Sequence, residues 1–373
     1  MTKFVFRRVL QAIPVLFGIT VVVYGILLAA PGGPEAKFAN NPRITQEQRD
    51  RFIKAWGLDQ PIPIQYCRWM GLCNPETEGT MLGSLPTPAA FLGPTGLPNF
   101  LPEPISGATN GVLHGDFGYS INSGEKVEDR IIRAALPTFI LAGVSLIVWL
   151  VVAITMGVYA AIRRYSLFDN ASTVFSYVGF AMPTFWLGIM LIFIFSGPGL
   201  NWLPAGGMTE TRLSPPFGSD KYWEYFGDKP IQAILDVGKH LILPVVTLVV
   251  VNIAGDSRFV RASMLESLGQ DYVRTAKAKG LPSRAVNFKH ALRPALLPVI
   301  TNIGLEIPFL FTGAIVTETI FSWPGIGKLT IDATREFDYP ILMGVLLVTS
   351  VMVVLANLLA DIAYGVVDPR IKY

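Results

Sequence analysis

The chain has 373 residues, of which 51% are hydrophobic and only 15% charged, and its net charge is +3. With a mean hydropathy of +0.47, this composition excludes an ordinary soluble globular domain, where charged residues make up about a quarter. The net charge is small, so its distribution along the chain carries more information than its size.

A helix of about 20 predominantly apolar residues crosses a bilayer. Six such runs occur, approximately Val9–Ala30, Leu136–Ile162, Ser172–Ser196, His240–Val260, Leu296–Ile320 and Ile341–Val366. Pro and Gly interrupt several of them, which membrane helices tolerate where neighbours or local distortion satisfy the freed backbone groups. The expected fold is an all-α membrane protein with six transmembrane helices.

In chain order, residues 1–30 form a basic tail and the first helix. Lys3, Arg7 and Arg8 place the N-terminus in the cytoplasm by the positive-inside rule. Alternation then puts Arg163, Arg164, the basic stretch beyond Arg258, and Arg370 with Lys372 on the same side, so both termini are cytoplasmic. Removal of the first run as a signal peptide is disfavoured. It exceeds the usual apolar region of about 7–15 residues, and Pro31 follows the would-be cut.

Residues 31–133 form a long extracytoplasmic connection. Thr45 is placed to cap an amphipathic helix reaching Trp56, with Phe52, Ile53 and Trp56 on one side. Residues 74–110 carry seven prolines between Pro75 and Pro104, a composition that suits an irregular loop. Cys67 and Cys73 lie at the root of this loop, on a side where disulfides persist, and a Cys67–Cys73 bridge is expected. The 3 histidines fall in separate segments, and no His, Cys and carboxylate cluster has metal-ligand spacing. No metal site and no catalytic residues are expected.

Residues 134–366 hold the other five spans, and 367–373 form a cytoplasmic tail. Pro183 is read as a kink in the third span or a contact on a translocation path. The exported aromatics Trp202, Tyr222, Trp223, Tyr225 and Phe226 read as interfacial anchors or as partner contacts. Asn252 in the fourth span and Asn302 with Glu306 in the fifth are polar candidates for the path. An acid at the bilayer centre costs roughly 2.5–3.5 kcal/mol, so Glu306 must face the bundle interior or a wet cavity. It either lines the path or pairs with a neighbouring polar group.

The basic loop, 261–295, has its own punctuation. Gly269 is placed to end a helix continuing the fourth span. Asp271 is placed to cap a short helix from Tyr272 to Lys279, Gly280 and Pro282 to stop it, and Ser283 to cap another helix leading toward Leu292. Tyr272, Ala276 and Gly280 recur at four-residue spacing and form one small, nearly uncharged face. A transverse helix of this kind suits close approach by a soluble partner; charge alone is equally consistent with the positive-inside rule.

The run Asp271-Tyr272-Val273-Arg274-Thr275-Ala276-Lys277-Ala278-Lys279-Gly280-Leu281, followed by His290-Ala291-Leu292-Arg293, resembles the signature loop of ABC importer permeases, specifically the dipeptide/oligopeptide/nickel branch. Further similar stretches run almost end to end: Gly57–Ile62, Gly115–Ser120, Met182–Trp186, Leu203–Gly207, Gly313–Glu318 and Phe321–Gly327. The general motif reads Glu-Ala-Ala, three residues, then Gly. Here Arg274-Thr275-Ala276 stand in its first positions, and Leu292-Arg293 stand where a Leu-Pro is usual, two departures common in the peptide branch.

The resemblance implies a type I ABC importer permease architecture, in which the short loop helix sits in a cleft of an ATPase subunit and moves when two such subunits close on ATP. Tyr272, Ala276 and Gly280 are the implied close-packing contacts; Asp271, Arg274, Lys277, His290 and Arg293 are the implied polar ones. The implied partners are a second homologous permease, one or two ABC ATPase subunits, an extracytoplasmic substrate-binding protein and membrane lipid, with no nucleic acid. The chain has no Gly-x-x-x-x-Gly-Lys-Ser/Thr phosphate loop, so ATP and Mg belong to the partner and this chain binds no cofactor and is no enzyme. The implied location is the bacterial or archaeal cytoplasmic membrane. Residues 74–110 become an insertion relative to the family, either capping the outer mouth or forming an inert excursion. The loop from Phe321 to Tyr339 is similar to loops that probe the binding protein. Peptides are the default cargo, with nickel chelates and glycoconjugates as alternatives inside the family. A self-contained six-span secondary transporter or channel is the rival, weakened by the lack of an evident inverted repeat.

Overall fold

The computed structural model describes residues 2–29, 53, 59–72, 111–197, 200–210, 214–300 and 314–367, and these form an all-α protein. The helices are α1 (Thr2–Ala29), α2 (Ile62–Met70), α3 (Val127–Ile162), α4 (Leu167–Ala181), α5 (Thr184–Phe195), α6 (Asp220–Asp228), α7 (Pro230–Gly269), α8 (Asp271–Ala278), α9 (Ser283–Ala285), α10 (Ile315–Ile320), α11 (Ile326–Arg335) and α12 (Tyr339–Val367). Among the described residues, four helices are long and apolar enough to cross a membrane, within α1, α3, α7 and α12; the bent pair α4 and α5 makes a fifth if it is one span. These helices make the chain a multi-pass membrane protein. The expected fifth span, Leu296–Ile320, falls partly outside the described residues, as do the Thr45–Trp56 helix, apart from Ile53, and the whole of 74–110.

The third expected span, Ser172–Ser196, is not a single kinked helix. Helices α4 and α5 meet at 104° across Met182 and Pro183. Met182 is extended (φ −78°, ψ 124°) and Pro183 caps the next helix. Proline disfavours helical backbone in the residue before it and offers no N–H to continue the ladder. The chain therefore stops at Ala181 and restarts in a new direction.

The chain divides into two compact units. In the unit formed by Gln11–Ala135 and Leu329–Val351, α1 and α2 meet through aromatic rings. Tyr24 lies 5.5 Å from both Tyr66 and Trp69, and Tyr339 and Met343 complete the cluster. The Tyr66 hydroxyl donates to Thr20 Oγ1 at 2.6 Å, whose own proton goes to the Phe17 carbonyl. Fully buried Asp338 accepts from the Ser120 hydroxyl, from the Ile121 and Asn122 amides, and from Asn122 Nδ2. The Gly115–Ser120 motif thereby ends on a carboxylate far along the chain.

In the other unit, which includes Leu136–Lys328, α4 and α5 pack against the long α7. Small residues set the spacing. A Cβ on Gly157 would lie 2.5 Å from the Ser257 carbonyl, and one on Gly179 would lie 3.0 Å from that of Val250. The Ser176 and Ser257 hydroxyls meet at 3.2 Å. At the start of α4, Ser166 accepts from the Asp169 amide. Asp169 in turn takes a two-pronged bond from Arg261 at 2.6 and 2.8 Å and the Tyr165 amide at 2.8 Å. The paired fork gives geometric definition as well as attraction.

A third carboxylate organises the turn after α10. Glu318 is fully buried. Its oxygens accept from Thr138 Oγ1 at 2.8 Å and from the Lys328 amide at 3.1 Å. Thr138 Oγ1 also accepts from the Ile326 amide at 2.8 Å, and the Trp323 indole donates to the Pro137 carbonyl at 2.9 Å. Glycine is required beside this carboxylate because a Cβ on Gly325 would fall 2.5 Å from it. Overpacking a tight site costs about 1–3 kcal/mol. Gly325→Ala should therefore lower the thermal unfolding midpoint of the protein in detergent, whereas Gly143→Ala, whose added methyl meets nothing within 4 Å, should not.

Candidate functional site

The basic loop begins where α7 ends. Gly269 is the last residue of α7, and Gln270 turns extended (φ −74°, ψ 154°), breaking the helix and redirecting the chain into α8. The cap thus falls one residue before the expected Asp271. Gln270 holds the N-cap position without a side-chain bond, and Asp271 occupies the first turn, where a negative charge suits the helix dipole.

Helix α8 stops by a Schellman arrangement. The Leu281 amide donates to the Ala276 carbonyl at 3.4 Å and the Gly280 amide to the Lys277 carbonyl at 2.9 Å. Gly280 has φ +74°, the left-handed backbone that this motif requires and that glycine adopts without penalty. Pro282 is extended and precedes α9, so Ser283 is the first helical residue rather than its cap. Helix α9 runs on through a π-helical turn, Val286–Ala291, into helical residues 292–300. Single π turns cluster at functional sites.

The loop helix has two unlike faces. Val273 is fully buried and Ala276 is 5% exposed. Both pack with Val158 and Ala161 of α3, Val260 and Met264 of α7, and Val286, Ala291, Ala295 and Val299 of the returning segment. Full burial of a valine side chain contributes roughly 1.5–3 kcal/mol. Two hydrogen bonds reinforce the seam: Ser267 Oγ donates to the Ala291 carbonyl at 2.6 Å and lies 2.8 Å from the Tyr272 hydroxyl. Ala276, expected on the partner-facing side, instead belongs to this chain's own core. The four-residue periodicity through Tyr272, Ala276 and Gly280 identifies small residues, but it carries no sign for inward or outward.

The other face is open. Asp271, Arg274, Lys277, Lys279, Gly280 and Arg293 are exposed, as are Tyr272 and the apolar Leu281 and Phe288, while His290 is half-buried. Arg274 reaches Asp271 at 3.5 Å with both side chains in solvent, a pair worth little in stability. Basic side chains thus surround exposed aromatic and aliphatic groups on this face. Among the described residues, no group of three or more His, Cys, Asp or Glu is placed to hold a metal.

The path candidates are scattered. Asn252 is exposed on α7, its Nδ2 donating to the Leu248 carbonyl at 2.8 Å, and Pro183 is exposed at the bend. Asn302, Glu306 and Cys73 lie outside the described residues; Cys67 is held in a disulfide. The sequence alone assigns no role to Asp169, Glu318 or Asp338, although one similar stretch ends at Glu318 and another ends beside Lys328, whose amide binds that carboxylate. Its spacing from Gly325 and Gly327 was the available signal.

Residues 153–373 match the family model for the binding-protein-dependent transport system inner membrane component, and residues 1–91 match its N-terminal counterpart. Similar proteins include the oligopeptide transport system permease protein AppB of Bacillus subtilis, 39% identical over the full length of both chains. The dipeptide transport system permease protein DppB of Escherichia coli K12 is 34% identical over all of this chain and 99% of its own. The di/tripeptide transport system permease protein DppB of Pseudomonas aeruginosa is 33% identical with the same coverage.

Because left-handed backbone costs a non-glycine residue about 1–2 kcal/mol, Gly280→Val should loosen the end of α8. Amide exchange at Gly280 and Leu281 should accelerate in the variant, and Gly280→Asn, which tolerates this conformation better, should restore most of the protection.

Proposed function

The chain belongs to the family of binding-protein-dependent transport system inner membrane components, and we propose that it is the transmembrane permease subunit of an ATP-driven peptide importer. In this reading it has six spans in the type I arrangement, with both termini in the cytoplasm. A second homologous permease completes the pathway, one or two ATPase subunits bind ATP and Mg, and an extracytoplasmic binding protein delivers the peptide. The chain itself moves substrate and hydrolyses nothing.

One observation carries the proposal. Helix α8 buries one face in the chain's own helices and leaves the other basic and open, on a chain alignable over its full length with permeases named for peptides. Asp271, Tyr272, Arg274, Lys277 and Gly280 are the contacts to the ATPase, with His290 and Arg293 at the rim. Ala276 acts from behind, by fixing the helix. Nucleotide-driven closure of the ATPases shifts the population between outward- and inward-open states. Asn252 and Pro183 are exposed on the isolated chain, as the wall of a path shared with a second subunit must be.

Like-charge contacts at an interface cost several kcal/mol, so the double reversal Arg274→Glu, Lys277→Glu should cut ATPase co-purification and ATP-dependent peptide uptake by roughly tenfold or more. The permease should still extract from the membrane as a folded protein. Unchanged uptake, or uptake by this chain alone under an ion gradient, contradicts the proposal.

The bridge at the root of the 74–110 insertion is proposed to join Cys67 to Cys73, clamping a loop of six steps along the chain on the exported side. Alkylation of the denatured, unreduced protein should leave both thiols unlabelled, and prior reduction should expose the pair. Labelling of both without reductant refutes the bridge.

A further inference from the structure

We propose that Thr138 and Glu318 are positioning residues: they form the linkage through which α3 carries displacement of α8 to the turn at 321–328. This rests on the coupling role given to α8 above. Helix α3 is held at two places along its length. At one end, Val158 and Ala161 are sealed into the same buried cluster as Val273 and Ala276 of α8. At the other, Thr138, only 2% exposed, is tied to Glu318 and to the Ile326 amide at 2.8 Å each.

Thr138 and Val158 lie in one unbroken helix, and their separation is about 30 Å at 1.5 Å per residue. Midway, Leu141, Trp149 and Ala153 of α3 pack with Val245, Val249 and Ile253 of α7 and with Trp323. A close-packed interior transmits displacement because it has little free volume to absorb it.

The linkage at Thr138 is sparse and complete. One hydroxyl donates to the carboxylate and accepts an amide, and the second carboxylate oxygen takes the Lys328 amide. The Trp323 indole reaches the Pro137 carbonyl one residue away, and the Trp323 amide closes onto the Glu318 carbonyl at 2.8 Å. A buried carboxylate is tolerated only when its acceptors are filled. An apolar group of similar shape would leave the Thr138 hydroxyl and the Lys328 amide without an acceptor, at the full desolvation cost of each. A carboxylate adds direction: it binds three chain segments, around residues 138, 318 and 326–328, in one geometry. Gly325 and Gly327 leave room for it alone, since a Cβ on either would come within 2.9 Å of its atoms.

Thr138→Val keeps the shape and removes both hydrogen bonds; Thr138→Ser keeps both. The complete importer, with its second permease, ATPases and binding protein, is reconstituted in liposomes, and tri-alanine uptake is followed together with ATP turnover. Thr138→Val should leave ATP turnover without binding protein within about twofold of the parent, while peptide moved per ATP falls about tenfold, within the range for loss of a coupling residue. Thr138→Ser should return the ratio to the parent value. A parental ratio in Thr138→Val overturns the proposal.

A measurement on the unaltered complex decides the matter where the valine variant does not assemble. The Ile326 and Lys328 amides should keep equal hydrogen-exchange protection with and without ATP. Loss of protection on ATP binding means the linkage opens during the cycle, and the proposal fails. Failure of the α8 coupling role shows itself separately, as indifference of the parental sequence to reversal of Arg274 and Lys277.

Discussion

The burial of one face of an eight-residue helix is the constraint on which the rest of the account depends. So short a helix is marginal in isolation. Here Val273 and Ala276 are packed among residues from α3, α7 and the segment returning toward the membrane, and Ser267 ties that segment to the end of α7. Stability comes from tertiary packing, leaving the outward residues free to be chosen for binding. On the proposed reading, a helix fastened on one side and basic on the other receives force from the ATPase subunit and passes it into the membrane helices it packs on.

Three buried carboxylates do a related task elsewhere. Asp169 holds the tight connection between α3 and α4 to α7 through Arg261. Glu318 gathers the turn after α10, and Asp338 binds the 120–122 segment within its own unit. Each stands where the chain changes direction and backbone amides need acceptors. In a protein whose helices are mostly apolar, directional bonds of this kind specify geometry at the ends of helices, where nonpolar packing alone would allow sliding. Small residues complement them along the helices: Gly157 and Gly179 set how near neighbouring backbones come. The family relationship and the architecture agree on a transporter subunit whose chemistry is mechanical.

Much of this was legible in the chain. Long apolar runs announce a multi-pass helical protein, and Gly269, Gly280 and Pro282 bracket α8 to within about a residue of its ends. Local signals located these features because glycine and proline act on their own backbone. What failed to show were facts that depend on distant partners. Nothing near Ala276 in sequence says that Val158 and Met264 wait on its inward side. Glu318 sits inside a recognisable stretch, but its meaning needs Thr138, 180 positions earlier. Pro183 is legible as a break, but the 104° between the two half-helices, both of which pack on α7, is not written in its own neighbourhood.

The central claim is that α8 and α3 move as one body when the ATPases close. Spin labels on Arg163→Cys, exposed just beyond α3, and Lys279→Cys, at the end of α8, would report this in the assembled complex. The account predicts one and the same distance distribution in the nucleotide-free and ATP-bound states. A second, displaced population appearing with ATP would show that the loop helix slides on its support, and would contradict it.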